Sequence, residues 1–392
     1  MGSNREPHSL TMASLYLHIP FCEHKCIYCD FYSIAPDGSR ADYDSLTVRF
    51  VEALKQEIVL RAAQAQFQIP YETIFFGGGT PSLLSPATIG EILNLLHAKF
   101  SLQSNAEITL ETNPGTVDKK KLLDFRSAGI NRLSFGVQSF HDDDLKFLTR
   151  IHSAEQAKES VRTAFKAGFE NVSLDLIFSL PGQTLVRWKS NLEQAVALQP
   201  THVSSYSLIV EPNTPLKRMV ESKQVQLLSL EEDASLYEMT MEFFHEHGYE
   251  QYEVSNFAKP GFRSRHNSNY WNHSNYLSFG PSAHSFWNNR RWWNVANLVN
   301  YCARIEAGAF ADAGSESLTE DQLRQEEIFL GLRSDGIQLT PFSKRFHYDL
   351  IAAHRPAIDQ LVREGLARLD DERLRLTAKG YLICDEICGA LS

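Results

Sequence analysis

Short apolar, β-branched or aromatic runs alternate with helical stretches six times in the first half of this 392-residue chain. The runs predict strands at 15–19, 73–76, 107–110, 132–137, 172–178 and 203–209. The intervening stretches predict helices at 43–63, 87–99, 119–128, 153–167 and 185–198, with Gly129 and Gly168 expected as left-handed caps. This order predicts an α/β fold with parallel strands. Six units favour an incomplete (β/α)6 barrel, and an open doubly wound sheet is the alternative.

The regular alternation fades after Pro212, so three segments are predicted. They are a barrel at 1–212, an aromatic-rich extension at 213–306 and a winged-helix-like α+β cap at 318–392, with a small-residue linker at 307–317. The cap is indicated by a helix that ends near Gly365 and two short strands that flank 370–372. Winged helices commonly bind DNA, but this segment holds 10 Lys and Arg against 13 Asp and Glu, which favours packing or partner binding.

Composition narrows the classes of partner. A net charge of −10 argues against nucleic acid, whose phosphates require clustered Lys and Arg. No apolar run approaches the roughly 18 residues of a transmembrane helix, which leaves at most transient contact with a membrane surface. The first 14 residues are polar and lack the apolar core of a secretory signal, so we expect a cytoplasmic protein. Six cysteines are too few for a disulfide framework.

Three of those cysteines, Cys22, Cys26 and Cys29, follow the first predicted strand in a CxxxCxxC spacing. Three thiolates at this reach can bind three irons of a four-iron four-sulfur cubane and leave the fourth iron open. The same residues also fit a zinc site with His18 or His24 as fourth ligand, or a chance group of buried thiols.

Polar or glycine-rich residues follow other predicted strands, namely GGGTP at 77–81, Glu111, Gln138 and Asp175. In parallel α/β barrels, functional residues gather at these strand ends, and missing side chains let the backbone approach a ligand closely. Each residue also has a structural explanation. GGGTP can be a turn, Gln138 can satisfy the backbone, and the two acids can be buried partners of Arg150 or Arg132.

The cysteine motif, with Tyr28 before its last cysteine, resembles the signature of the radical S-adenosylmethionine (SAM) superfamily. The resemblance extends over about 15–215 and includes LETNPGT, RLSFGVQSF, LTRIH and DLIFSLPGQT. It implies that the open iron binds the methionine moiety of SAM, and that one-electron reduction yields a 5'-deoxyadenosyl radical inside a barrel that excludes water. The residues implied for SAM are Tyr16, Tyr28, Gly77, Gly78, Gly79, Thr80, Glu111, Gln138, Arg150 and Asp175.

Within the superfamily, GINRLSFGVQSF and DLIFSLPGQT resemble the HemN/HemW branch of oxygen-independent coproporphyrinogen III oxidases and heme chaperones. The oxidases have a further cysteine two positions after the third cluster cysteine, where this chain has Phe31. They also have a long N-terminal extension, whereas 21 residues precede Cys22 here. Both differences favour a chaperone that passes heme to acceptor hemoproteins and relies on an electron donor. An oxidase that decarboxylates coproporphyrinogen III is the alternative.

A third feature of the branch is HNxxYW, present here as His266 to Trp271. The resemblance implies heme binding by His266, Tyr270 and Trp271. Aromatic walls and an imidazole suit an apolar porphyrin and its iron. Four of the five tryptophans lie within 271–293, so a packed aromatic sub-core with hydrogen-bonded histidines is the alternative. The chain departs from the commonest chaperone pattern at Ser278 and at the Pro-Ser pair 281–282.

Overall fold

The computed structural model describes residues 12–36 and 39–392. These residues form two compact units. The first comprises the described residues up to Leu174 together with Val210–Arg218 and Ser274–Ser317, and the second comprises Asp175–Ile209, Met219–His273 and Leu318–Ser392. The division predicted at 1–212, 213–306 and 318–392 stays a prediction. Within the described residues, no helix is long and apolar enough to cross a membrane.

Fifteen strands occur in the described chain. They are β1 (Ala13–Ile19), β2 (Pro70–Gly78), β3 (Ser101–Thr112), β4 (Arg132–Gln138), β5 (Asn171–Phe178), β6 (His202–Ser207), β7 (Glu250–Gln251), β8 (Asn256–Ala258), β9 (Tyr276–Phe279), β10 (His284–Trp287), β11 (Arg290–Asn294), β12 (Asp312–Ser317), β13 (Ile337–Gln338), β14 (Ala367–Leu369) and β15 (Arg373–Leu376).

The described residues also form sixteen α-helices and two short 3₁₀ helices, the latter at Ala65–Phe67 and Pro81–Leu83. The α-helices are α1 (Arg40–Ala62), α2 (Pro86–Lys99), α3 (Lys119–Ser127), α4 (Asp142–Phe147), α5 (Ala154–Lys166), α6 (Leu185–Ala197), α7 (Pro215–Glu221), α8 (Leu230–Glu246), α9 (Arg265–Trp271), α10 (Leu298–Glu306), α11 (Glu320–Leu332), α12 (Leu339–Phe346), α13 (Leu350–Ala353), α14 (Arg355–Arg363), α15 (Ala378–Tyr381) and α16 (Cys384–Leu391).

The first unit is built on a sheet in which β12, β11, β10, β9, β1, β2, β3 and β4 are neighbours in that order. Strands β1 to β4 pair in parallel and are joined by helices. Leu17, Phe76 and Leu110 lie in register across the first three strands, and all three are fully buried. Burial of both faces explains why these strands form short apolar runs in the sequence.

Local signals place the helices. Ser153 begins α5 with a capping box, in which its hydroxyl accepts from the Gln156 N–H and the Gln156 side chain accepts from the Ser153 N–H. Gly129 and Gly168 follow α3 and α5 with φ of +114° and +87°. The predicted left-handed caps are therefore confirmed, as are the six strands and five helices predicted before residue 210.

The predicted linker at 307–317 needs correction, and two tryptophans of the aromatic region lie in a packed core. Residues 312–317, predicted as a linker, form strand β12, which pairs antiparallel with β11. This strand is mostly solvent-exposed, so its polar DAGSES sequence gives no apolar signal. In the aromatic region, Trp287 and Trp292 are buried against Phe67, with ring centroids 4.8 and 6.0 Å apart. For these two tryptophans the packed-core interpretation is correct.

In the second unit, β6 pairs with β8 and β8 with β7, all antiparallel. Its C-terminal part has a three-stranded sheet in the order β13, β15, β14, which packs with Leu332, Phe342 and Ile358 in one buried core. The predicted end of a helix before Gly365, followed by two short strands, is confirmed by α14, β14 and β15.

Candidate cluster and SAM site

The three motif cysteines lie in the loop that follows β1. The Cys22 N–H donates to Ile34 O (2.8 Å), the Cys29 N–H donates to Cys26 O (3.2 Å), and the Tyr43 hydroxyl donates to Cys22 O (2.9 Å). The three side chains carry free thiols. Burial raises the pKa of Cys29 to about 11, with Cys22 and Cys26 adding to this effect. The loop therefore gathers the three sulfurs close enough to influence one another.

His18 has a structural role beside this loop. Its Nε2 lies 2.7 Å from Tyr32 O, and its Nδ1 lies 3.1 Å from the Tyr16 hydroxyl. Burial lowers the pKa of His18 to about 4, so the ring is neutral, with Nε2–H donating to Tyr32 O and Nδ1 accepting from Tyr16. Both ring nitrogens are thus engaged, which argues against His18 as a zinc ligand.

No group of three described His, Cys, Asp or Glu side chains is arranged to bind one metal ion. A cubane makes a different demand, because its three thiolates bind three different irons.

The glycine-rich end of β2 packs directly against the cysteine loop. Gly79 N–H donates to Ile19 O (2.8 Å), and Thr80 N–H donates to Phe21 O (2.7 Å). A Cβ atom at Gly79 would lie only 2.6 Å from Phe21 O, so a side chain cannot fit there without moving the loop backbone. The missing side chains of this motif therefore serve the protein's own packing.

The two preceding glycines, Gly77 and Gly78, lie against further predicted site residues. Gly78, with φ of +107°, donates its N–H to the Glu111 carboxylate (3.1 Å) at the end of β3. The Tyr16 ring stacks on Phe75 with centroids 6.1 Å apart, and it lies close to the Cβ position of Gly77. Burial, followed by the charge of Glu111, raises the pKa of Tyr16 well above its usual value.

Arg150 connects the cysteine loop to the ends of β3 and β4. Its Nη2 donates to Asn113 Oδ1 (2.6 Å) and Gly136 O (2.7 Å), while its Nη1 lies 3.6 Å from Cys26 Sγ. Its Nε is a buried donor with no hydrogen-bond partner among the described residues. Gln138, with φ of +68°, lies beside it over Gly136.

Tyr28 lies beside Arg150, on the cysteine loop. Burial raises the pKa of the Tyr28 phenol, and the Arg150 charge opposes that shift. Thr149 also holds this loop, because its hydroxyl accepts from the Ile27 N–H at 3.2 Å.

Sequence reasoning did not identify Asn113 or Thr149 as site residues. Asn113 carries a signal that could have revealed it, since it is a polar residue at the end of a predicted strand. Thr149 lies within LTRIH, but nothing in that motif indicates its contact with Ile27, which is 122 residues away.

The remaining predicted residues belong to the second unit. Asp175 lies on β5 and interacts with Tyr206, whose pKa is raised by burial and then by the Asp175 charge. His266 is the second residue of α9 and is 1% exposed, with its Nε2 2.9 Å from the Tyr270 hydroxyl. The two rings are nearly perpendicular, at 87°. Trp271, the last residue of α9, is partly exposed.

His273 follows α9 in a left-handed conformation, with φ of +52° and its Nε2 3.1 Å from the Glu326 carboxylate on α11. The HNxxYW segment therefore forms a short helix whose histidine is buried and already has a hydrogen-bond partner.

Comparison with known proteins supports these features. A profile of the radical SAM superfamily matches residues 16–195, and a profile of the HemN C-terminal domain matches residues 318–383. A protein of Bacillus subtilis named heme chaperone HemW is 36% identical over 97% of this chain and 99% of its own length. The heme chaperone HemW of Escherichia coli is 41% identical over 69% of each chain.

Two further comparisons extend over most of the chain. Radical S-adenosyl methionine domain-containing protein 1, mitochondrial, of Danio rerio is 32% identical over 99% of this chain and 88% of its own length. The solved structure of the Escherichia coli coproporphyrinogen III oxidase HemN, a radical SAM enzyme, matches with a TM-score of 0.82 and 25% identity. It covers 97% of this chain and 90% of the HemN chain.

The HemN match confirms the predicted fold class, an α/β protein with an incomplete radical SAM barrel and a C-terminal domain. Because similarity to the chaperones extends over nearly the whole sequence, the chain belongs to the HemW family of the radical SAM superfamily.

Proposed function

We propose that this chain is a cytoplasmic heme chaperone, which binds heme and transfers it to acceptor hemoproteins. Phe31 is the single observation that carries this function. It stands where the related oxidases have a further cysteine, and its ring is 63% exposed on the cysteine loop. The names of the relatives that match nearly the whole chain support the same choice.

The chain's own residues fit a cluster and SAM. Cys22, Cys26 and Cys29 hold a [4Fe-4S] cluster, which when bound supplies one electron and an open iron to SAM. Arg150 Nε, a buried donor without a partner in the described chain, is suited to an anionic group such as the SAM carboxylate. The residues proposed to bind SAM are Tyr16, Tyr28, Gly77, Gly78, Gly79, Thr80, Glu111, Gln138, Arg150 and Asp175.

Heme binding is proposed at His266, with Tyr270 and Trp271 providing aromatic surface. His266 Nε2 is engaged by the Tyr270 hydroxyl, so iron ligation by this nitrogen requires Tyr270 to move away. Heme uptake through His266 therefore involves a local rearrangement of α9.

An oxygen-independent coproporphyrinogen III oxidase is the second candidate, because the HemN structure matches 97% of this chain. One experiment separates the two. Anaerobically reconstituted full-length protein is passed through gel filtration after addition of hemin, and is separately incubated with coproporphyrinogen III, SAM and dithionite. Retention of hemin without porphyrinogen turnover supports the chaperone, and turnover without hemin retention refutes it.

A further inference from the structure

Two of the three cluster thiols lie beside a hydrogen-bond donor side chain of this chain. The Thr80 hydroxyl donates to Cys22 Sγ at 3.6 Å, and Arg150 Nη1 donates to Cys26 Sγ at 3.6 Å. Hydrogen bonds to cluster sulfurs are among the factors that set the reduction potential of an iron–sulfur cluster.

Thr80 is held in place by its backbone. Its N–H donates to Phe21 O at 2.7 Å, and its side chain is only 7% exposed. Among the described residues, Cys22 Sγ is the one hydrogen-bond partner of the Thr80 hydroxyl. The buried Thr80 hydroxyl therefore donates its hydrogen bond to the Cys22 sulfur.

Ser33 has a second hydroxyl near the same cysteine. Ser33 directly precedes Ile34, whose carbonyl accepts from the Cys22 N–H at 2.8 Å. Ser33 Oγ is buried and has no hydrogen-bond partner within the described chain, a costly arrangement for a hydroxyl. A cluster-bound thiolate is a stronger acceptor than a thiol, so the Cys22 sulfur of a bound cluster is suited to give Ser33 the partner it lacks.

We propose that Thr80 and Ser33 raise the reduction potential of the cluster by donating O–H···S hydrogen bonds to the Cys22 thiolate. Both act through Cys22 and are positioning residues. Reduction adds negative charge to the cluster and its thiolates, so these donors stabilise the reduced state more than the oxidised state. Thr80 therefore serves the cluster, in addition to any contact with SAM. The inference rests on the proposed cluster and does not depend on heme binding.

The test measures the midpoint potential of the reconstituted cluster in full-length protein, without SAM or hemin. Potentiometric titration is followed by the electron paramagnetic resonance signal of the reduced state. The variants are Thr80→Val, Ser33→Ala and their combination, with Thr80→Ser as the variant that keeps the hydroxyl. Thr112→Val is the matched control, because Thr112 is also buried, at the end of β3, and donates to its own strand at Leu110 O.

We expect Thr80→Val and Ser33→Ala each to shift the potential to more negative values, and the double variant to shift it further. Thr80→Ser and Thr112→Val should keep the wild-type potential. If Thr80→Val does not retain a cluster, Ser33→Ala decides alone, because its hydroxyl makes no other hydrogen bond in the described structure. If Thr80→Val, Ser33→Ala and the double variant hold a cluster with the wild-type potential, the inference is wrong and the proposed function is unaffected. A wild-type protein that holds no cluster overturns the cluster part of the proposed function as well.

Discussion

Removal of the buried carboxylate of Glu57 on α1 should destabilise the first unit strongly. Glu57 is fully buried and accepts three hydrogen bonds of 2.8 Å, from Gly280 N–H, Asn294 Nδ2 and the Tyr301 hydroxyl. Arg61 Nε lies 3.8 Å from the carboxylate. These partners lie on or beside β9, β11 and α10. The Glu57 side chain therefore connects the Ser274–Ser317 part of the first unit to α1.

The expected magnitude follows from the partners that would be left behind. In Glu57→Ala, the Gly280 N–H and the Tyr301 hydroxyl lose their acceptor, and Asn294 Nδ2 keeps only its bond to Gly280 O. Arg61 loses one of its two carboxylates, while its bond to Asp312 remains. Removal of one partner from a buried charged network costs about 3–5 kcal/mol. Glu57→Gln should cost less, about 1–3 kcal/mol, because the amide keeps the shape but turns an NH₂ group toward another donor.

The assay is urea unfolding of the cluster-free protein, followed by tryptophan fluorescence. Glu52→Ala is the matched control, because Glu52 is on the same helix but is exposed and pairs with Lys55, an interaction of about 0.5 kcal/mol. The decrease in the free energy of unfolding should be largest for Glu57→Ala, smaller for Glu57→Gln and smallest for Glu52→Ala. If Glu57→Ala lowers the free energy of unfolding by less than about 1 kcal/mol, these hydrogen bonds are not needed to hold Ser274–Ser317 against α1.

Three further predictions concern the cluster, pH and heme. Cys26→Ala should lose the broad brown absorbance of the cluster, whereas Cys302→Ala, which removes a buried structural thiol, should keep it; equal spectra would refute the cluster assignment. Burial raises the pKa of Glu253 to about 8, so its folded form favours the proton and stability should fall from about pH 4.5 to pH 8, by up to ~1.4 kcal/mol per pH unit. Glu253→Gln should flatten that dependence in unfolding measurements, and an unchanged slope would contradict this origin. His266→Ala should shift or abolish the Soret band of bound hemin while the exposed control His284→Ala keeps it; identical bands would refute His266 as the ligand.

Much of the fold could be predicted because its signals are local. Six strands and five helices of the first 210 residues have apolar runs, helix caps or glycine stops within a few positions of their observed ends. The cysteine spacing is equally local, and it places the three thiols on one loop. Strand β9 could not be predicted in the same way. Its four residues pair in parallel with β1, more than 260 positions earlier, and nothing in TyrLeuSerPhe at 276–279 specifies that partner.

The GGGTP motif shows how far a local pattern can be interpreted. Glycine at 77–79 indicates close approach of the backbone to something, and the sequence favours a ligand. In the structure, part of this close approach is to the protein itself. A Cβ at Gly78 would lie 2.6 Å from the His18 ring, and the residue has a φ of +107°, which residues with a side chain rarely adopt. A bulky residue at Gly78 would therefore disturb the cysteine loop as well as any SAM that binds there. Contributions to SAM binding are better separated at Glu111, whose carboxylate accepts from the Gly78 N–H and can be changed to Gln without adding volume.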